Sequence, residues 1–163
     1  MRTRASILAA AVLASVGAAE AQSKTDVTSL KAFQGRWDCT GAFASGKPTA
    51  SDITATWDAP SQSLILHQDD KPPGPFHAIE LWGAGEGVGF RAAISDPFSG
   101  ERWLESPGWA DDKLTWTRYE GVKPMERFIY SRPNARGFFV EWFPIDKTGA
   151  FVLGDRLACK AVA

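Results

Sequence analysis

The sequence is poor in the residues that most metal sites and nucleophile sites use. Two of its 163 residues are histidine and two are cysteine. The cysteines have neither the spacing of a zinc site nor that of a Cys-x-x-Cys redox motif. In strand geometry His67 shares a face with Asp69, but two ligands do not make a metal site, and His77 faces away from Glu80. The sequence therefore predicts no metal centre.

The chain also lacks an excess of charge of one sign. Its 18 Lys and Arg residues stand against 19 Asp and Glu residues, which gives a net charge of −1. Proteins that bind nucleic acid or an anionic membrane surface through charge need a basic excess, so neither partner is expected. The sequence has no Gly-x-Ser-x-Gly turn and no phosphate-binding loop. These patterns predict no catalytic residue and no cofactor.

Long apolar runs are missing except at the N-terminus. Two arginines precede the apolar stretch 7–18, and Ala19-Glu20-Ala21 follows it. This order is typical of a signal peptide, and the run is too short to span a bilayer comfortably. We therefore expect residues 1–21 to be a signal peptide cleaved near Ala21 and the mature protein to be periplasmic or secreted. The alternative is an uncleaved N-terminal anchor.

Export would make the two cysteines informative, because disulfides form and persist in oxidising compartments. Cys39 lies in the first clear strand pattern and Cys159 in the last. A bridge between them would close a loop of roughly 120 residues and stabilise the fold by about 4–5 kcal/mol. We expect this disulfide, and two buried free thiols are the alternative.

Hydrophobic residues alternate with a period of two along most of the chain, which is typical of strands. In the first strand, Trp37, Cys39 and Phe43 share one face. Residues 28–34 instead favour one helical turn that would plug the end of a barrel. The sequence predicts an all-β fold: one domain, residues 28–163, folded as an antiparallel up-and-down barrel of about ten strands.

The segment Gly35-Arg36-Trp37, placed after the helical turn, resembles the Gly-x-Trp signature of the lipocalin and calycin barrels. The Trp-x-Cys of the first strand and the closing pattern around Cys159 are similar to lipocalin-like domains of exported bacterial proteins, and more distantly to nitrobindins. The resemblance implies that Gly35 allows a tight entry into the first strand. It also implies that Trp37 closes the barrel floor, with Arg156 or Lys160 over its ring.

The nitrobindin resemblance has a limit that concerns haem. Nitrobindins hold haem through a histidine late in the chain, whereas His67 and His77 both lie in the first half of this one. Haem binding by that arrangement is therefore not expected. The lipocalin-like fold itself hosts carriers, inhibitors and a few enzymes, so the resemblance implies architecture more than activity.

Aromatic residues are abundant, with seven tryptophans and ten phenylalanines. Most should simply fill the barrel core. If the interior holds a pocket, we expect Trp57, Phe90, Trp116 and Tyr130 on its wall.

The alternating pattern also directs one arginine inward. Arg118 continues the apolar face of Leu114 and Trp116, so its side chain should enter the interior or its mouth. A buried arginine needs an anion. Three carboxylates of the chain could be its structural partner, namely Glu105, Glu126 and Glu141. The functional alternative is that Arg118 binds a carboxylate or phosphate of a ligand.

Without a catalytic constellation, the barrel pattern favours binding of a small apolar or amphipathic ligand. Two other functions stay open. Residues 138–143 are apolar on both faces, which favours a protein-interaction or inhibitor module and leaves a homodimer open. A cavity-based isomerase or cyclase would use Arg118, Tyr130 and Glu105 as acid–base groups.

Overall fold

A computed structural model describes residues 26–87, 89–119 and 125–162. The signal peptide predicted for residues 1–21 lies outside the described residues. The described chain is all-β apart from one short 3₁₀ helix. Its elements are the helix Val27–Phe33 and the strands β1 Gly35–Phe43, β2 Pro48–Asp58, β3 Ser63–Asp70, β4 His77–Ala84, β5 Phe90–Asp96, β6 Gly100–Ser106, β7 Trp109–Ala110, β8 Lys113–Arg118, β9 Glu126–Ser131, β10 Phe138–Pro144 and β11 Asp155–Ala161.

Ten of these strands form a closed antiparallel barrel, which confirms the predicted fold class. Strands β1 to β6 pair in sequence order, β11 pairs with β1, and β10, β9 and β8 follow in turn. Pairing of β6 with β8 closes the barrel. The two-residue strand β7, which the sequence did not predict, pairs with β8.

The first and last strands meet along a seam that carries the predicted disulfide. Cys39 and Cys159 lie directly opposite each other in the β1–β11 register and are bonded to each other. Both cysteines are buried. On the same seam a Cβ atom at Gly41 would lie 1.8 Å from the carbonyl oxygen of Arg156, so the strands approach too closely there for any side chain. The disulfide prediction is confirmed.

The 3₁₀ helix plugs one end of the barrel, as its sequence position predicted. The Asp26 carboxylate begins the helix by accepting a hydrogen bond from the backbone N–H of Thr28 at 2.9 Å. The side chains of Leu30 and Phe33, both in this helix, are fully buried. The Phe33 ring packs against four aromatic rings at centroid distances of 5.3–5.8 Å, namely those of Trp82, Trp109, Tyr130 and Phe138.

Trp37 lies on the floor next to this plug, but neither of the two cations expected over its ring, Arg156 and Lys160, lies there. The indole Nε1 of Trp37 donates a hydrogen bond to the carbonyl oxygen of Phe33 at 2.8 Å. Trp37 points inward, whereas Arg156 and Lys160 are exposed because even-numbered residues of β11 face outward. The Arg156 guanidinium lies instead over the outward-facing ring of Phe139, 4.6 Å from its centroid.

The barrel directs alternate residues of β9 and β10 inward, a choice that the sequence pattern left undecided. In β9 the inward residues are Glu126, Phe128 and Tyr130, and in β10 they are Phe138, Val140 and Trp142. The apolar residues on the other face of β10 therefore point outward, and Phe139 is 46% exposed.

Reduction of the disulfide should lower the free energy of unfolding by about 4–5 kcal/mol, because the bridge links residues 120 positions apart and restricts the unfolded chain. Urea unfolding of the oxidised and reduced protein, followed by tryptophan fluorescence, measures the difference. The double variant Cys39→Ala/Cys159→Ala is the control and should not respond to reductant. Equal midpoints for oxidised and reduced protein would contradict the prediction.

Candidate functional site

A cavity of about 300 Å³ occupies the barrel interior at the end away from the 3₁₀ helix. We call this end of the barrel the open end. The surface of the wall is mainly apolar, and five carboxylic acids and one arginine also reach it. The volume lies at the lower end of the range for small-molecule sites. The aromatic residues of the wall are Phe43, Phe76, Phe98, Phe128, Tyr130 and Trp142.

Arg102 is the centre of a buried ion cluster at the base of the cavity, formed with Asp96 and Glu126. Its Nη1 donates to both carboxylate oxygens of Glu126 at 3.0 Å, and its Nη2 donates to Asp96 Oδ2. Trp142 Nε1 adds a hydrogen bond of 3.0 Å to Glu126. The side chains of all three ionised residues are at most 6% exposed. The cluster therefore ties β5, β6 and β9 together inside the barrel.

The local sequence explains how these charges come to face inward. Arg102 shares the inner face of β6 with Leu104 and Ser106. Asp96 ends β5 and accepts hydrogen bonds from the backbone N–H groups of Phe98 and Ser99, both at 2.8 Å, so it also forms the turn into β6. The sequence pattern did not predict Arg102 and Asp96 as site residues. The alternation of Arg102 with Leu104 was the signal that pointed to the former.

Arg118, the arginine predicted to point inward, reaches the same ion cluster. It is 8% exposed, and its Nη1 lies 3.7 Å from Glu126 Oε1. Of the three carboxylates suggested as its partner, Glu126 is the one it contacts. Glu105 pairs with Arg91 at 3.2 Å and Glu141 with Arg156 at 3.4 Å, both on the outer face of the barrel.

Glu80 is a third buried carboxyl group on the cavity wall, and the sequence pattern did not predict it as a site residue. It is 5% exposed, and its Oε2 accepts a hydrogen bond of 2.7 Å from Trp82 Nε1. Burial raises the pKa of Glu80 to about 7, although the Trp82 hydrogen bond and the charge of Arg102 act in the opposite direction. Burial also raises the pKa of the neighbouring Tyr130 well above its ordinary value.

Two further carboxyl groups, Asp70 and Asp155, line the cavity nearer its mouth. Asp70 Oδ1 accepts a hydrogen bond of 2.6 Å from the hydroxyl of Ser51. Burial, together with the negative charge of Asp70, raises the pKa of Asp155 to about 6. In the described part of the chain, neither aspartate forms a salt bridge.

The four aromatic residues predicted for a pocket wall divide between the two halves of the barrel. Tyr130 lines the cavity. Phe90 and Trp116 are buried in the plugged half, where Trp116 packs against Trp82 at a centroid distance of 5.0 Å. Trp57 is half-buried, with the ammonium group of Lys31 over its ring at 4.9 Å. A ligand-binding role for these residues stays a prediction, and Tyr130 is the one placed to fulfil it.

The acid–base set suggested for an isomerase or cyclase does not form one site. Tyr130 and Arg118 face the interior, whereas Glu105 points to the outer face because it alternates with Leu104 and Ser106. The histidines follow the strand alternation that the sequence analysis used. His77 contacts Asp69 at 2.8 Å outside the barrel while Glu80 faces inside.

The closed ten-stranded antiparallel barrel is consistent with the lipocalin-like architecture that the Gly35–Trp37 segment implied. A scan against protein-family models and a search of curated proteins gave no match to this chain. Among the described residues, no helix is long and apolar enough to cross a membrane.

Replacing Arg102 with Leu should lower the free energy of unfolding by about 3–5 kcal/mol, because it leaves the buried Asp96 without its cation and removes two hydrogen bonds to Glu126. Arg91→Leu is the matched control, since its pair with Glu105 is partly exposed and should contribute about 0–1 kcal/mol. Chemical denaturation of both variants at pH 7 measures the difference. Equal losses in the two variants would contradict the role assigned to the ion cluster.

Replacing Glu80 with Gln should stabilise the protein at pH 8 and leave its stability nearly unchanged at pH 4.5. The folded protein retains a proton on Glu80 that the unfolded chain releases between about pH 4.5 and pH 7, because folding raises this pKa. The resulting penalty is absent below this window, grows as the pH rises through it and is complete above it. Its full size is on the order of 3 kcal/mol.

Urea unfolding of wild type and Glu80→Gln at both pH values tests this penalty. Glutamine retains an oxygen that accepts the Trp82 hydrogen bond, so the variant imitates protonated Glu80. A difference between the two proteins that is the same at pH 4.5 and pH 8 would show that Glu80 does not titrate in this window.

Proposed function

We propose that this protein is an exported lipocalin-like barrel that binds one small apolar or amphipathic molecule in the cavity at its open end. The observation that carries the proposal is the volume of about 300 Å³ left inside the barrel. Small barrels fill their interiors with side chains unless they hold a ligand. A cavity with apolar walls and a few polar groups is the usual form of a small-molecule site.

The two halves of the interior favour this role for the open end. Leu30 and Phe33 seal the plugged half and are fully buried, so a ligand would enter from the other side. There, Phe76 and Phe98 stack at 6.3 Å, and Phe98 is 65% exposed. A partly exposed aromatic pair beside a cavity offers apolar surface to an entering ligand, and burying that surface contributes roughly 25 cal/mol per Å².

Two features support the proposal that the protein is exported. The residues before position 22 have the order of a signal peptide, and the Cys39–Cys159 disulfide is of a kind that persists in oxidising compartments. The proposed location is therefore the periplasm or the extracellular space.

One observation favours a second function, that of an interaction module. Three large apolar side chains on the outer face of β4 and β6 are about half exposed, namely Ile79, Leu81 and Trp103. Leu81 and Trp103 flank Ala93 directly in the sheet register. A contiguous apolar patch of this kind is a common feature of contact surfaces.

Native mass spectrometry of the protein purified from the cells that export it tests the first proposal. We expect the mass of a chain that begins after residue 21, plus a few hundred daltons from a bound molecule. The additional mass should be lost on denaturation. If the protein is purified empty, calorimetric titration with a panel of small amphipathic molecules should detect binding. Failure of the whole panel would contradict the proposal, and a doubled bare mass would favour the interaction module.

A matched pair of variants assigns any binding to the cavity. Ile94→Trp places a large ring in the cavity, whereas Ser95→Trp adds the same ring one residue later on the exposed outer face. We expect the first variant to lose binding, because the ring occupies the ligand volume, and the second to retain it. Equal affinities would place the binding site elsewhere. Circular dichroism of both variants verifies that the barrel is folded.

A further inference from the structure

The carboxyl groups of the cavity outnumber its cations, and this imbalance indicates what the ligand carries. Five carboxyl groups line the cavity, and Arg102 is the cationic side chain on its wall in the described part of the chain. Arg102 is engaged with Asp96 and Glu126 through both of its Nη atoms. The remaining three carboxyl groups form no salt bridge with a described residue, and they are Asp70, Glu80 and Asp155.

From this we infer that the ligand is an amphipathic organic cation whose protonated amine is held by Glu80, with Asp70 and Asp155 attracting it at the mouth. The inference rests on the proposed binding function and names the chemical class of the ligand.

Glu80 supports this assignment because one of its oxygens lacks a partner. The Oε2 atom accepts the Trp82 hydrogen bond, whereas Oε1 accepts none from the described residues, although the side chain is 5% exposed and lines the cavity. Oε1 keeps some accessible surface, so it can accept a hydrogen bond from a ligand in the cavity. A protonated amine supplies both the missing donor and the missing positive charge, and such charge-assisted bonds are the stronger ones.

The pair at the mouth supports the same charge. Asp70 is close enough for its negative charge to raise the pKa of Asp155. A cation entering between two carboxylates relieves their repulsion, whereas an anion increases it. The mouth would therefore attract cationic ligands and exclude carboxylates and phosphates of similar size.

The walls accommodate the remainder of such a ligand. Trp142, Phe128 and Tyr130 lie on one side of the cavity, on neighbouring strands β9 and β10. Aromatic faces bury an apolar skeleton and attract positive charge through their ring quadrupoles. A purely apolar ligand would use the same walls but would leave Glu80 Oε1 without a donor.

Three probes with one skeleton separate these possibilities: 3-phenylpropylamine, 3-phenylpropan-1-ol and 3-phenylpropanoate, titrated calorimetrically at pH 7.5. We expect the amine to bind about 10- to 100-fold more tightly than the alcohol, as a hydrogen bond to a charged group contributes, and the carboxylate to bind more weakly than both. If the alcohol or the carboxylate binds as well as the amine, the inference fails while the proposed binding function stands. If none of the three binds, the inference fails, and the wider panel of amphipathic molecules decides on the proposed binding function.

Two variants test the part played by Glu80. Glu80→Gln should lower the affinity for the amine about 10-fold or more and leave that for the alcohol unchanged. Glu105→Gln removes a carboxylate from the outer face and should change neither. An equal loss for amine and alcohol in Glu80→Gln would mean that the side chain shapes the cavity without binding the cation.

Proton release provides a second measurement on the unmodified protein. The groups that act on Glu80 are Trp82 on its own strand, Asp96 and Arg102 on β5 and β6, and Glu126 on β9. At pH 6.5 a cation that binds Glu80 should expel its proton, which calorimetry in buffers of different ionisation enthalpy detects. Binding of the amine without proton release, or the same release in Glu80→Gln, would overturn the assignment to Glu80.

Discussion

Pairing of the first strand with the last is the constraint on which the rest of this barrel depends. Seven residues of β1, from Trp37 to Phe43, have partners in β11, and without that seam the sheet would have two open edges. Closure fixes which residues of every strand face inward, because neighbouring strands must keep their register. The Cys39–Cys159 bond holds the seam covalently where the two strands lie opposite each other.

The interior of the closed barrel has two halves that are filled differently. Around Phe33 the plugged half is filled by aromatic rings, and the indole N–H groups of Trp37 and Trp109 donate hydrogen bonds to oxygens of the 3₁₀ helix. The open half contains Arg102, Asp96 and Glu126, which bond to one another, and Trp142 of the aromatic wall also donates a hydrogen bond to Glu126. Apolar residues of similar volume often stabilise a protein as well as a buried ion pair does. The charges therefore suit a cavity better than they suit a core.

The sequence predicted the barrel, the plug and the disulfide because each depends on a local pattern. Alternation gave the strands, and the apolar residues of 28–34 marked the helical turn. The ion cluster was not predictable in the same way, since Asp96, Arg102 and Glu126 meet only through the register of β5, β6, β8 and β9. Arg118 illustrates what alternation can and cannot predict. Alternation predicted that its side chain points inward, whereas its pairing with Glu126 rather than Glu105 depends on which strands are neighbours in the barrel.

At Glu80 the residue that would be best for stability differs from the one that the proposed function needs. Its burial raises its pKa to about 7, so near neutral pH the protein either keeps a proton there or holds a buried charge that forms no salt bridge with a described residue. A residue selected for stability alone would be apolar or neutral at this position. Perturbed carboxyl groups inside cavities are enriched at functional sites. A cationic ligand would stabilise the ionised form of Glu80. Binding would then offset the energetic cost of burying this group, and the protein would favour cationic molecules.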